Sequence, residues 1–234
     1  MQHLYAWLSG PGLVGSVLFF GVGMFLRAAL YAAGLGWRRD QLAYGSCSKP
    51  VFKVAARSVW TWLICCTRSA REHRFLALAT VIFHAGFTLL MLFGPGHAEL
   101  RREHIGLGLG LPATLTGVLS LLTLTALAAL LLRRVLSGAL RFLTSWRDWL
   151  LLGLCALILI SGLLARSASG GGFQATLPDV SLWLLIHMFS AELLLVLAPF
   201  LFAHMVFFFV LRLQLALDYA VKRGGRKRGL EFPW

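Results

Sequence analysis

The stretch Val180 to Leu211, VSLWLLIHMFSAELLLVLAPFLFAHMVFFFVL, decides the fold, because its only ionisable side chains are His187, Glu192 and His204. An apolar run of roughly 20 residues is enough to cross the hydrocarbon core of a bilayer as a helix, and this one is longer. It must therefore tilt, kink or project, and Pro199 near its middle supplies a cause for a kink. Four similar stretches precede it, at about 12–34, 75–100, 106–132 and 149–164. Trp146 and Trp149 stand at the start of the shortest of them as interfacial anchors. Of the 234 residues 59% are apolar and 13% charged. A soluble domain keeps about 25% of its residues charged, so that class is excluded. Five spans leave little beyond loops and a tail, so one membrane domain covers 1–234. The expected fold is all-α, a bundle of five transmembrane helices.

A net charge of +13 would suggest nucleic acid in a soluble protein, but here the position of the cations matters. The first and third loops and the tail 212–234 hold 18 Lys and Arg, against 3 in the second and fourth loops, with Arg27 inside a span. The positive-inside rule then puts the N-terminus outside and the basic tail in the cytoplasm of a prokaryotic inner membrane. Anionic lipid and a docked cytoplasmic protein account for the excess charge, and no nucleic acid is needed. Residues 1–11 contain no Lys or Arg, so the first span is expected to be retained rather than cleaved as a signal peptide. The segment 50–70 mixes tryptophans with cations, as in a helix lying on the membrane surface. Glycines at 106, 108 and 110 favour close helix approach, and those at 170–172 favour a flexible outer turn. Cys47, Cys65, Cys66 and Cys155 form no Cys-x-x-Cys-His haem attachment site and read as structural.

The chemistry rests on histidine. Among hydrocarbon tails an ionisable side chain is costly and usually faces the bundle interior with a partner or a function. His84 and His97 are 13 residues apart toward the two ends of span two, and His187 and His204 are 17 apart on span five. These separations are roughly 20 Å and 25 Å along a helix, and the two spans run in opposite directions. His84 is thus level with His204 near the cytoplasm, and His97 with His187 near the outer face. Each pair can hold a planar metal cofactor by two axial imidazoles, which is the ligation haem accepts, whereas zinc wants four ligands. If span two ends at the Gly94-Pro95-Gly96 run, His97 lies in a loop and His104 becomes the alternative outer ligand. His3 and His73 are expected to be solvated. Arg27 is placed to pair with a haem propionate or to snorkel to the interface. Glu192 serves proton release or quinone contact, or a hydrogen bond between helices.

Phe83-His84-Ala85-Gly86 and the His187-x16-His204 arrangement with Pro199 between resemble the gamma subunit family of respiratory nitrate reductase. The sequence from His187 through Ala191-Glu192 and Pro199 to His204-Met205-Val206 is similar, more closely, to the cytochrome b subunits of transmembrane electron-transfer complexes of sulfate reducers, including the high-molecular-weight cytochrome c complex. The resemblance implies two b-type haems, a quinone site (menaquinone or another quinone) near one of them, and a cytoplasmic iron-sulfur subunit. A periplasmic multihaem cytochrome c and other membrane subunits are further implied partners. His84 and His204 match the inner ligands and His187 one outer ligand. The nitrate reductase family carries its second span-two histidine ten residues after the first. Position 94 here is glycine, so His97 takes that role. The expected function is electron transfer across the membrane as part of an oxidoreductase. A haem-free anchor for a cytoplasmic complex is the alternative, and a proton-relay transporter ranks last.

Overall fold

The computed structural model describes residues 1–34, 56–57, 60, 72–168 and 180–201. The described residues are helical, with no strand among them. Five helical segments are long and apolar enough to cross a membrane: Gln2–Tyr31, Arg74–Phe93, Ala113–Leu136, Trp146–Ala168 and Leu182–Leu201. They correspond one to one with the five stretches read from the sequence, with shifted ends.

The first begins ten residues earlier than expected. It consists of α1 (Gln2–Trp7), a wide π-helical turn over Leu8–Gly12, and α2 (Leu13–Gly34). Pro11 has no amide hydrogen to give to the helix ladder, and Gly10 leaves helical geometry at φ −112°, ψ −106°, so the axis bends there instead of breaking. His3, expected outside the spans, stands exposed on α1.

Span two is α3 (Arg74–Phe93), and it ends before the expected residue 100. The cause is local. Proline pushes the residue before it into extended geometry, and Gly94 has φ −57°, ψ 142°. Pro95 then starts α4 (Pro95–Ile105) at a position where its missing amide costs nothing. α4 carries Glu99, Arg101, Arg102 and Glu103, too polar for a hydrocarbon core, and stops at Gly106 with φ 73°, the left-handed geometry glycine favours. Gly106, Gly108 and Gly110 thus lie in the connection after α4, not within a span. A Cβ at Gly110 would come within 3.0 Å of Ala98 Cβ, so the close approach is of this connection onto α4. Leu111 N–H donates to the Phe93 carbonyl at 2.7 Å and returns the chain to the end of α3.

Span three, α5 (Ala113–Leu136), is followed by the short α6 (Gly138–Leu143) and by span four, α7 (Trp146–Ala168). A capping box opens α7: Ser145 N–H donates to Asp148 Oδ2 at 2.9 Å and Asp148 N–H to Ser145 Oγ at 3.3 Å. α8 (Leu182–Leu201), the described part of span five, starts under a cap from Ser181 Oγ to Leu184 N–H at 3.2 Å. It passes through Pro199 without ending.

Two compact units are present, 1–20 with 78–197 and 21–77 with 198–234. In the first, α7 packs against α5. Leu151, Leu154, Ile158, Ser161 and Ala165 are buried at alternating spacings of three and four, with Cys155 and Leu159 beside them, one stripe of the helix. Small residues set the approach of α3 to α5, since a Cβ at Gly86 would overlap Thr123 Oγ1. Thr123 is fully buried and satisfies its hydroxyl by donating to the Leu119 carbonyl at 2.7 Å. In the second unit, a Cβ at Gly23 of α2 would meet the Pro199 ring at 2.7 Å, so glycine is what admits the proline there. The segment 50–70, apart from 56–57 and 60, the turn at 170–172 and the tail 212–234 lie outside the described residues, as do Cys47, Cys65 and Cys66. Cys155 is a free, buried thiol.

Candidate functional site

His187 sits in the first half of α8, facing α7. Its Nδ1 lies 2.9 Å from the Ile158 carbonyl oxygen. A carbonyl only accepts, so Nδ1 carries the hydrogen and the lone pair belongs to Nε2, the tautomer of a metal-binding histidine whose ring is oriented by a second partner. One turn along α7, Gly162 makes room for this ring: a Cβ there would stand 3.0 Å from both Cε1 and Nδ1. Ser190 Oγ donates to the His187 carbonyl at 3.0 Å.

His97, near the start of α4, meets this imidazole. The ring centroids are 5.8 Å apart and the planes are inclined by 58°. Two imidazoles bound to opposite sides of one metal at roughly 2 Å each place their centroids roughly 6 Å apart, so the pair fits the donor set of a bis-imidazole iron site. Burial, then the neighbouring His187 and Arg101, push the His97 imidazole down to about 4, which keeps it neutral, the form that binds metal, at physiological pH. His104, the alternative outer ligand, is exposed on α4, its Nδ1 turned to the Leu100 carbonyl at 2.9 Å. The structure thus places His97, not His104, beside His187.

His84 stands on α3 with Nδ1 2.8 Å from the Thr80 carbonyl, which again leaves Nε2 free, and with the Phe83 ring edge-on at 5.1 Å. Its expected partner His204 lies outside the described residues, and His84 itself is exposed, whereas the sequence leads one to expect it to face the bundle interior. Arg27 is half-buried on α2. His73 is exposed ahead of α3. Among the described residues no group of three or more His, Cys, Asp or Glu converges as a metal site.

Glu192 follows His187 by a little over one turn and is buried, with Oε1 lacking a hydrogen-bond partner. Its Oε2 would lie 2.9 Å from a Cβ at Gly12, and the Trp7 ring would lie 2.8 Å from the same point. Gly12 therefore opens the bend of the first span to this carboxyl.

The sequence assigns no role to Ile158 or Gly162 and counts Arg166 only as a loop cation. The Ser161-Gly162 pair was the available signal, because small residues in an apolar helix mark where another group approaches. Gly162→Val would push branched carbons into the His187 ring. It is expected to displace His187 from the Ile158 carbonyl while sparing His84, measured as a shift of the His187 imidazole resonance alone.

No protein-family model matches the chain, and no solved structure matches it. A protein of the sulfate reducer Nitratidesulfovibrio vulgaris is 38% identical over 234 residues, an overlap covering 99% of this chain and 100% of that relative.

Proposed function

We propose, from the premise that the chain belongs to one family with the Nitratidesulfovibrio vulgaris protein along its whole length, that it is a di-haem cytochrome b subunit of a respiratory oxidoreductase. It passes electrons across a prokaryotic inner membrane, between a quinone pool or a periplasmic redox partner and a cytoplasmic iron-sulfur subunit. The observation that carries this reading is the His97–His187 pair: two imidazoles 5.8 Å apart, one with its Nδ1 tied to a backbone carbonyl. The resemblance of the span-five motif and the sulfate-reducer relative support it.

In this reading His97 and His187 hold the outer haem, and His84 with His204 the inner one. Bound haem supplies one-electron chemistry, at a potential set by its axial ligands and its burial. The chain's own residues orient and insulate. The Ile158 and Thr80 carbonyls fix the tautomers of His187 and His84. Gly162 admits the His187 ring, and α4 carries His97 over the end of α3. Glu192, a carboxyl with an unsatisfied oxygen, is placed to accept a proton or to hydrogen-bond a quinone hydroxyl.

The protein purified from membranes is expected to show a reduced-minus-oxidised haem b spectrum with two components. His84→Ala should remove one and leave the other. A colourless protein that still recruits its partner complex would replace this reading with that of a haem-free anchor.

A further inference from the structure

Arg166 stands in the last turn of α7, where Nη1 is buried and has no hydrogen-bond partner among the described residues. The sequence counts it as the lone cation of an outer loop, but the fold lays its guanidinium on α5. A Cβ at Gly117 would lie 2.7 Å from Nη1 and 3.2 Å from Cζ. A buried charged donor with no acceptor is costly and is retained where an anion arrives to meet it. The nearby stretch of α8 does not supply that anion, because Glu192 Oε1 is itself unpartnered and Oε2 is turned toward Gly12. On α4, Glu99 is engaged by Arg102.

Position narrows the choice. Ile158, Gly162 and Arg166 follow at intervals of four and share one face of α7. Ile158 accepts from His187 and Gly162 underlies the His187 ring. The guanidinium is thus about one helical turn, roughly 6 Å, further along the same face. It lies toward the end of the bundle where α5 starts and α4 carries His97.

We propose that Arg166 is an anion-binding residue that holds a propionate carboxylate of the haem clasped by His97 and His187. This rests on the haem reading, and the test separates the two. The full chain is produced in haem-deficient membranes and loaded with haem b or with its dimethyl ester, which keeps the iron and removes both carboxylate charges. The outer component is identified as the one lost in His187→Ala. The unmodified protein should retain haem b in that component about tenfold better than the ester, the ratio expected for one charge-assisted hydrogen bond. Arg166→Gln should abolish the preference and lower the midpoint potential of that component alone, since loss of a nearby cation favours ferric iron. Arg166→Lys should restore most of both.

If the unmodified protein holds the ester as tightly as haem b, or if Arg166→Gln keeps both the preference and the midpoint, the assignment is overturned while the haem reading stands. The guanidinium then belongs to another anion, such as a lipid phosphate. Because the ester comparison uses the unmodified chain, it decides the matter even if Arg166→Gln fails to fold. A chain that takes up no haem overturns both.

Discussion

On the di-haem reading proposed above, His187→Ala should remove one of two haem b components, lowering the reduced-minus-oxidised absorbance by about half and leaving the remaining component at its original midpoint. The substitution would delete a proposed axial ligand and also leaves the Ile158 carbonyl without its donor inside an apolar helix pair. His97→Ala should remove the same component, because the two rings face each other. His104→Ala should leave both components intact, since that side chain stands two turns further along, at the exposed end of α4. The three variants together test the pairing, and retention of two components in His187→Ala would refute the outer assignment.

Gly86→Ala has the next largest expected effect, and it acts on the bundle. The added methyl would occupy the place of Thr123 Oγ1 on a side chain that is fully buried. Overpacking of a tight contact costs about 1–3 kcal/mol, and here α3 would have to move away from α5. Lower yield of folded protein and faster unfolding in detergent are the expected readouts, with His84, two residues before Gly86, carried along. Thr123→Ala removes the overlapping hydroxyl, so the double variant should recover most of the loss. Additive losses in that cycle would show that the contact does not set the helix separation.

The outer pair shows how local chemistry and packing divide the work. Nothing in the spacing of His97 and His104 chooses between them, since both follow the Gly94-Pro95 break and both sit on α4. The two histidines are two turns apart and share a face of α4, so the choice is one of position along the helix: the Leu111–Phe93 bond ties the connection back to the end of α3 beside the start of α4, where His97 lies, while His104 is about 10 Å further on at the exposed end. Arg166 was equally open, because an arginine at a helix end reads as a solvated charge until the neighbouring helix is seen to offer Gly117 beneath it.

The amino-acid order alone determined the five spans, with shifted ends, and the set of histidines worth considering, while it placed the end of span two at residue 100 and named the Gly94-Pro95 break only as an alternative. Each depends on hydrocarbon length, backbone sterics or the cost of a polar group in lipid, all of which are local. The tertiary structure alone decided that His97 meets His187, that Gly162 cradles the ring, that Glu192 is buried and that Arg166 turns one guanidinium nitrogen out of solvent. Those facts depend on the rotation of each helix about its axis, and an apolar span with lipid-like residues all round carries no periodicity from which that rotation can be read.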